Sequence, residues 1–388
     1  MDTRPMLQID GLPLSELRTH RSEKWRMVPA DVLPLPVAEM DFEIAEPIRD
    51  LLIDRIQHSD VGYLGAIPEL AITLMEFTDS RWGWKIDPDQ VFIATDVGVA
   101  MVEMARTVVQ PGEKIVVNSP VYHNFYNWAQ ELKCEVLDAP LLETDLHYSL
   151  DFAAIEKSYQ QGAKLHFLCN PQNPVGTVFS HEDLSQLAEL AHQYNVAIFS
   201  DEVHAPLVYS DSEFVPFLAV SETARKVGIC VTAASKSWNL AGLKCATIIT
   251  ADEFWKEKAL SMPPAVHYRA SLLGALAAAK AYECIEWLDA VMRTLDRNRK
   301  FLQDQLAAKL PQVRYRIPDF GYLAWLDFTD AQLGADPTSV ILERAKVSLN
   351  PGHSFSPHSH QFSRLNFATS LEIIEAAVDR IAELIKTP

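Results

Sequence analysis

The sequence predicts an α/β protein whose large domain contains a mostly parallel, mixed sheet between layers of helices. Between about residues 86 and 250, short apolar runs alternate with longer amphipathic stretches. Strands that alternate with helices form parallel sheets that are covered on both faces. After about residue 288 the pattern becomes helix-rich, apart from an apolar, strand-like run at Tyr322–Phe328. This change of pattern predicts a second, smaller domain of the α+β type.

The strand candidates are short apolar segments bounded by polar or turn residues. They are Val91–Thr95, Lys114–Asn118, Glu135–Leu137, Lys164–Cys169, Val196–Ser200, Gly228–Ala233 and Cys245–Thr250. Two of the intervening segments, Val99–Val109 and Glu182–Tyr194, have the periodicity of amphipathic helices. Ser180 precedes the second helix and Asp183 follows three residues later, which predicts a capping box.

The length of 388 residues favours two domains over a single core. We expect residues 45–285 to form the large domain. The small domain is expected to combine residues 1–44 with residues 286–388. No internal repeat or low-complexity tract suggests a further unit.

Composition excludes several classes of function. The formal net charge of −18 argues against binding to nucleic acid, which requires a basic face. The cysteines are five in number, widely spaced and without a C-x-x-C pair, which favours reduced thiols over a disulfide framework or a zinc ribbon. The N-terminal stretch lacks the apolar core of a signal peptide, and no apolar run approaches the ~18 residues of a membrane span. We therefore expect a cytoplasmic protein that has no membrane partner.

Chemically distinctive side chains follow four of the predicted strands. Tyr122, Asn173, Asp201 and Lys236 each come shortly after a strand candidate. Ligands of open parallel sheets bind beyond the carboxyl ends of the strands. An aromatic ring, an amide, a carboxylate and an amine are therefore expected to meet at one edge of the sheet.

These four groups are the ones that pyridoxal-phosphate (PLP) chemistry requires. A desolvated lysine such as Lys236 can condense with the aldehyde of the cofactor. A carboxylate such as Asp201 keeps the ring nitrogen protonated, which makes the ring a better electron acceptor. Asn173 can bind the ring hydroxyl, and Tyr122 can stack on the ring. The turn and helix start at Thr95–Ala100 offers backbone N–H groups for the phosphate.

Each of these signals also has a purely structural interpretation. An aspartate at a strand end is often a turn residue, and Tyr122 alone could be packing. The segment Asn170–Gly176 could be a proline–glycine turn. Their occurrence together, in strand-end positions, favours a PLP enzyme that acts on amino acids.

The chain resembles the fold-type I PLP-dependent enzymes of the class I/II aminotransferase-like family. Within that family it is similar to the MalY/PatB branch of carbon–sulfur β-lyases, the cystathionine β-lyase type. The resemblance covers nearly the whole chain. It rests on LPLPVAEMDF (Leu33–Phe42), VGY (Val61–Tyr63), SPVYHNF (Ser119–Phe125), CNPQNPVG (Cys169–Gly176), SDEVHAPLVY (Ser200–Tyr209), ASKSWNLAGLK (Ala234–Lys244), YLAWLDF (Tyr322–Phe328) and FSRLNFA (Phe362–Ala368).

The resemblance implies a role for individual residues. Lys236 would be the catalytic residue and the covalent attachment point of the cofactor. Further contacts with the cofactor are implied for Asp201, Asn173, Tyr122, Gly98, Val99, His204, Ser235 and Lys244. Arg364 would bind the α-carboxylate of the substrate, assisted by the backbone amide of Ala38. Tyr63 matches a tyrosine that relatives lend to the neighbouring subunit, which implies a homodimer with its active site at the subunit interface.

The sequence departs from the family pattern near the expected substrate entrance. Ala233 stands where many relatives have a serine or threonine that contacts the phosphate. The glycine-rich run expected before Arg364 is missing, and His353, His358 and His360 occupy that segment instead. We expect this histidine-rich loop to line the distal part of the substrate pocket.

The predicted activity is a PLP-dependent β-elimination. Cystathionine or a related cysteine S-conjugate would yield a thiol, pyruvate and ammonia. An aminotransferase is the alternative, and a PLP-binding regulatory protein is a further one. A nicotinamide dehydrogenase and a serine hydrolase are disfavoured because the G-x-G-x-x-G and G-x-S-x-G motifs are absent. A zinc site at the three histidines lacks a supporting carboxylate, so no metal is expected. The sequence leaves the physiological sulfur compound open.

Overall fold

The structure is a computed structural model that describes residues 6–386. Its strands are β1 (Leu33–Pro34), β2 (Val91–Ala94), β3 (Lys114–Val117), β4 (Glu135–Asp138), β5 (Leu142–Thr144), β6 (His147–Ser149), β7 (Ala163–Cys169), β8 (Ala197–Asp201), β9 (Gly228–Thr232), β10 (Ala246–Ile249), β11 (Arg314–Tyr315), β12 (Leu323–Asp327), β13 (Val347–Ser348), β14 (Asn350–Pro351) and β15 (Phe362–Asn366). Its α-helices are α1 (Leu14–Leu17), α2 (Glu23–Arg26), α3 (Glu46–Gln57), α4 (Pro68–Trp82), α5 (Val97–Ala105), α6 (Asn124–Glu131), α7 (Phe152–Gln160), α8 (His181–Tyr194), α9 (Glu222–Val227), α10 (Ala234–Ser237), α11 (Glu253–Leu260), α12 (Pro264–Tyr268), α13 (Leu272–Glu283), α14 (Ile285–Lys309), α15 (Pro337–Val340) and α16 (Leu371–Lys386).

The large sheet has the strand order β2-β10-β9-β8-β7-β3-β4. Neighbouring strands from β9 through β4 pair in parallel, whereas β10 runs antiparallel to both β2 and β9. The sheet is therefore mixed and mostly parallel, as predicted. All seven strand candidates of residues 86–250 appear in it.

Helices cover both faces of this sheet, so its central strands have apolar residues on each side. In β9, Ile229 and Val231 pack into one apolar cluster, whereas Cys230 packs into the other. In β8, Ile198 and Phe199 divide in the same way. Successive strand side chains point to opposite faces, and a continuous apolar run is what a doubly covered strand requires.

The predicted capping box at the start of α8 is confirmed. The Ser180 hydroxyl accepts from the Asp183 backbone N–H, and the Asp183 carboxylate accepts from the Ser180 N–H. The other predicted helix lies earlier than expected, at α5, because Asp96 is its N-cap. Asp96 accepts a hydrogen bond from the Val99 N–H at 2.9 Å, which fixes the helix start two residues before the predicted one.

A smaller antiparallel sheet, with the order β11-β12-β15-β14, is formed by the C-terminal part of the chain. The N-terminal segment joins this part, because β1 pairs in parallel with β13. Backbone bonds extend the attachment from Leu35 to Ser348 and from Asp41 to Ala368. Residues 33–41 therefore lie beside the C-terminal sheet and reach the large sheet at its strand ends. The domain limits at residues 44/45 and 285/286 stay a prediction.

A buried ion pair holds the N-terminal segment in place. Lys24 of α2 donates to Asp41 at 2.8 Å, and neither side chain is more than 1% exposed. The indole N–H of Trp25 donates to the other Asp41 oxygen at 2.8 Å. Because both carboxylate oxygens are bound, α2 is anchored firmly to the segment that follows it.

Among residues 6–386, no helix is both long enough and apolar enough to cross a lipid bilayer.

We expect Lys24→Ala to lower the free energy of unfolding by about 3 kcal/mol, because it leaves Asp41 buried without its counterion. Lys280→Ala is the matched control, since the Lys280–Glu283 pair is exposed (35% and 49%) and such pairs contribute about 1 kcal/mol or less. The measurement is urea unfolding followed by circular dichroism. Equal losses in the two variants would contradict the proposed importance of the buried pair.

Candidate active site

The carboxyl ends of the parallel strands open into a cavity of about 670 Å³. Tyr122, Asn173, Asp201 and Lys236 all line it, as predicted from their strand-end positions. Arg364 reaches the same cavity from β15 of the smaller sheet. The volume is within the usual range for a site that binds a small molecule or a cofactor.

Lys236 lies on α10, directly after β9. Its ammonium donates to the Ala38 carbonyl at 3.2 Å, and the Tyr322 hydroxyl donates to the same carbonyl at 3.1 Å. Burial, and then the positive charge of Arg364, lower the pKa of Lys236 to about 8. The nucleophilic neutral amine is therefore much more accessible near neutral pH than in an ordinary lysine.

Asp201 is the last residue of β8 and is 6% exposed. One carboxylate oxygen accepts from the Val203 N–H at 3.2 Å, and no residue among 6–386 donates to the other. Burial raises the pKa of Asp201 to about 7, although the Val203 N–H and the charge of Lys236 oppose this shift. A cation placed next to this carboxylate would restore its usual ionisation.

The next residue, Glu202, points to the opposite face of the sheet. Its carboxylate accepts from the Phe217 N–H at 2.8 Å and from the Ser200 hydroxyl at 2.9 Å, and Cys230 donates to it at 3.1 Å. Burial raises the pKa of Glu202 to about 7. Because successive side chains of a strand point to opposite faces of the sheet, Asp201 faces the cavity and Glu202 faces the core.

Arg364 is 3% exposed and is held from two sides. It donates to the Asn173 side-chain oxygen at 3.0 Å and to the Pro36 carbonyl at 2.9 Å. Its guanidinium lies 4.8 Å from the centre of the Phe355 ring. Burial lowers the pKa of Arg364 to about 10, so it stays a cation at neutral pH. Its buried Nε has no partner among the described residues, which leaves hydrogen-bonding capacity for an anion.

Aromatic and imidazole rings form two walls of the cavity. Tyr122 accepts from the Asn124 amide at 2.8 Å, and burial raises the pKa of the tyrosine. The His123 ring lies 4.6 Å from the Tyr122 ring, centre to centre. On the other wall, burial holds the pKa of His204 well below its usual range. Burial lowers the pKa of His123 as well. Both histidines are therefore neutral at physiological pH.

The amino end of α5 forms a further part of the cavity wall. Gly98 faces Trp128, and a Cβ added to this glycine would lie 3.1 Å from the indole nitrogen. Lys244 is nearby and pairs with Asp96 at 3.1 Å. The Val99 N–H, which is predicted to contact the phosphate, donates to the Asp96 carboxylate in this structure, and its role stays a prediction. The donors left for an anion are the first N–H groups of the helix, on Val97 and Gly98.

These residues fit the PLP expected from the sequence. The cavity contains a desolvated amine, and Asp201 offers a buried carboxylate whose second oxygen lacks a donor. Gly98 lines the cavity, and its lack of a side chain lets the start of α5 lie close to Trp128, where a Cβ would be crowded. The nearby helix end and Lys244 together favour a phosphate there.

Two predictions concern residues that lie outside the cavity of their own chain. Tyr63 is 95% exposed on the loop between α3 and α4. The prediction that the histidine-rich loop lines the distal pocket is wrong: His353, His358 and His360 are exposed and lie outside the cavity lining, which includes the preceding residues 349–351 instead. The rings of His353 and His360 stack on each other, 5.6 Å apart. No three His, Cys, Asp or Glu side chains of residues 6–386 are grouped to bind a metal.

Several cavity residues were not singled out in the sequence. His123 and Cys169 could have been found, since one follows Tyr122 and the other ends β7 directly before the asparagine-proline turn. Glu23 and Met27 of the N-terminal segment also line the cavity, and no local pattern indicates this. Their position depends on the Lys24–Asp41 pair, which is a contact between distant parts of the fold.

Comparisons with known proteins agree with this geometry. Residues 30–381 match the family described as aminotransferase class I and II. A cystathionine beta-lyase of Corynebacterium glutamicum is 36% identical, over 96% of this chain and 99% of that protein. The cystathionine beta-lyase PatB of Bacillus subtilis is 33% identical, over 90% and 92% of the two chains. The crystal structure of cystalysin from Treponema denticola, which contains pyridoxal 5'-phosphate, superposes with a TM-score of 0.90 at 26% identity, covering 95% of this chain and 97% of that one.

The family match covers most of the chain, and the two lyases align with 90–96% of it. The sequence motifs that carry the family resemblance also supply the site: Lys236, after β9, lies in Ala234–Lys244, and Arg364, on β15, lies in Phe362–Ala368. The chain belongs to the class I and II aminotransferase family.

Proposed function

We propose that this protein is a PLP-dependent carbon–sulfur β-lyase that cleaves cystathionine or related cysteine S-conjugates. The observation that carries the proposal is the cavity that combines Lys236, Asp201 and Arg364 in a chain similar to cystathionine beta-lyases. The overall reaction consumes a thioether amino acid and water, and releases a thiol, pyruvate and ammonia. The carbon–sulfur bond breaks, and the sulfur leaves with the bonding electron pair.

PLP, when bound, supplies an aldehyde that condenses with amines and a pyridinium ring that accepts an electron pair. Lys236 is the residue proposed to hold it covalently. Asp201 is proposed to keep a proton at the ring nitrogen, since its free oxygen needs a donor and its burial favours a cationic neighbour. Gly98, Val99 and Lys244 are proposed for the phosphate, together with the N–H group of Val97. Ser235 lies with Gly98 and Lys244 in the cavity wall. Tyr122, Asn173 and His204 are proposed to surround the ring.

The side chains also support the handling of an amino-acid substrate. Arg364 is proposed to bind the α-carboxylate, because a buried guanidinium with unused donors favours an anion of that geometry. Lys236 is proposed to remove the proton from Cα, since its lowered pKa of about 8 makes the neutral amine available. The Ala38 carbonyl accepts from this amine and so orients its lone pair.

We further propose that the protein is a homodimer. The nearly complete exposure of Tyr63, together with the exposed apolar Val61, supports a partner surface on this loop. Tyr63 would then complete the phosphate site of the partner subunit. In analytical ultracentrifugation we expect a species of twice the chain mass of 43.5 kDa, which Tyr63→Ala retains while its affinity for PLP falls. A monomer at micromolar concentration would contradict this assembly.

A cytoplasmic location is also proposed. The free thiols of all five cysteines in the described chain support a reducing compartment. Recovery of the protein in a membrane or secreted fraction would contradict this location.

The lyase activity can be separated from transamination in one assay. The purified holoprotein is mixed with cystathionine in the absence of any keto acid, and pyruvate is measured with a coupled dehydrogenase. We expect pyruvate and a free thiol in equal amounts. If pyruvate is absent while amino transfer to a supplied keto acid is efficient, the protein is an aminotransferase and the lyase proposal fails.

The role of Lys236 predicts a pH dependence of cofactor uptake. The protonated amine predominates below pH 8 and the neutral amine above it, so the rate at which apoprotein binds PLP should rise through about pH 8. An exposed lysine would give a midpoint near its ordinary pKa of 10.5. The rate is followed by the visible absorbance of the bound cofactor.

Two variants serve as controls for this pH profile. Arg364→Gln removes a positive charge that lowers the Lys236 pKa, so its midpoint should move to higher pH. Lys236→Ala should lose its colour on dialysis, since no covalent bond can form. A colour that survives dialysis in Lys236→Ala would contradict the assignment.

A further inference from the structure

The short helix α2 has one face in the core and one face toward the active-site cavity. Lys24 and Trp25 are buried and bind both oxygens of Asp41. Glu23 and Met27 are exposed and line the cavity. Residues four apart lie on the same side of a helical turn, so these two side chains form a single surface. The buried pair behind them fixes the direction in which this surface points.

Glu23 places a negative charge at the mouth of the cavity, and no residue among 6–386 forms an ion pair with it. Its charge acts within the cavity: burial is the main influence on the pKa of Lys236 and of Tyr122, and the Glu23 carboxylate adds a smaller, raising contribution to both. Met27, which is 50% exposed, adds an apolar surface beside it.

The other charged groups of the cavity have tasks closer to the reacting atoms. Asp96 is paired with Lys244, and Asp201 belongs to the proposed ring site. Glu39 follows Ala38, whose carbonyl accepts from Lys236, and among the carboxylates it has the larger effect on that amine. Arg364 is proposed for the carboxylate of the substrate. Glu23 is therefore the carboxylate available to the part of a substrate that extends beyond the sulfur.

We propose that Glu23 and Met27 form a subsite for the leaving group, and that this subsite selects thioether amino acids whose leaving thiol carries an ammonium group. Met27 would contact the methylene chain of the leaving group, and Glu23 would pair with its terminal cation. The inference rests on the proposed β-lyase function, since it assigns the specificity of that same site.

The test uses two isosteric substrates of the holoenzyme, S-(3-aminopropyl)-L-cysteine and S-butyl-L-cysteine. They differ only in whether the leaving group ends in an ammonium or a methyl group. We expect kcat/KM for pyruvate release to favour the ammonium compound by about fivefold, the upper size expected of an exposed ion pair. An anionic compound, S-(2-carboxyethyl)-L-cysteine, should be the poorest of the three.

The variant Glu23→Gln should reduce the ratio of the ammonium to the butyl substrate to about one, and Glu23→Lys should reverse it in favour of the carboxyethyl compound. Glu43→Gln is the matched control: it removes the same charge from an exposed residue of the same N-terminal region outside this cavity, and should leave the ratio at its original value. In the unmodified enzyme, the preference should also weaken as salt is raised from 0.02 to about 0.5 M, because screening reduces the attraction between partly exposed charges.

The results distinguish the two proposals. If neither cystathionine nor any of the three compounds yields pyruvate, the β-lyase function itself is wrong. If cystathionine reacts and none of the three does, the lyase function stands and the subsite is wrong. If the butyl and aminopropyl compounds react equally well, or if Glu23→Gln keeps the preference of the unmodified enzyme, the lyase function stands and the subsite is wrong.

Discussion

The site depends on one constraint, which is the removal of water from charged groups at the ends of the parallel strands. Burial is the largest influence on the pKa of Lys236, Asp201 and Arg364. It brings the lysine down to about 8 and the aspartate up to about 7, so the two groups have similar proton affinities. Similar proton affinities allow protons to move among these groups and a ligand at low energetic cost. Without burial, Lys236 and Asp201 would both stay in their charged forms at neutral pH, whereas Arg364 is a cation in either case.

The enclosure comes from three parts of the chain that are far apart in sequence. The large sheet provides the floor, and the smaller sheet carries Arg364 from the side. The segment of residues 33–41 covers the third side, where backbone carbonyls accept from Arg364 at Pro36 and from Lys236 at Ala38. Asn239 binds both the N–H and the carbonyl of Met40, which links the loop after α10 to this segment. The segment of residues 33–41 thus orients both the Lys236 amine and the Arg364 guanidinium.

The N-terminal helix α2 shows how a stability element can also set specificity. A buried ion pair is costly to form, because both charges lose their hydration. Here the lost hydration is replaced by two hydrogen bonds to Asp41, one from the Lys24 ammonium and one from the Trp25 indole. The result is a fixed orientation for the opposite face of the helix, where Glu23 and Met27 meet the cavity. The element that stabilises the segment therefore also determines what a substrate meets beyond the reacting atoms.

Much of the fold could be predicted from the sequence, because the strands are apolar runs whose signal is local. The positions of Tyr122, Asn173, Asp201 and Lys236 at one sheet edge followed from the topology of parallel strands. The hydrogen bond from the Val99 N–H to Asp96 is a local contact that a motif does not reveal, and the predicted contact of Val99 with the phosphate stays a prediction. The prediction for the histidine-rich loop was wrong because the path of the loop depends on tertiary packing. Phe355, in the middle of the loop, is buried against the smaller sheet and sets that path.

The sequence by itself determined the order of the strands and helices, the chemical types at the strand ends and the family to which the chain belongs. These features depend on hydrophobic periodicity and on short motifs, both of which are readable along the chain. Only the tertiary structure decided how deeply the ionisable groups of the cavity are buried, which face Glu202 occupies and that α2 reaches the cavity mouth. Burial and long-range contacts are properties of the packed molecule, so the proton affinities and the specificity surface that depend on them cannot be read from neighbouring residues.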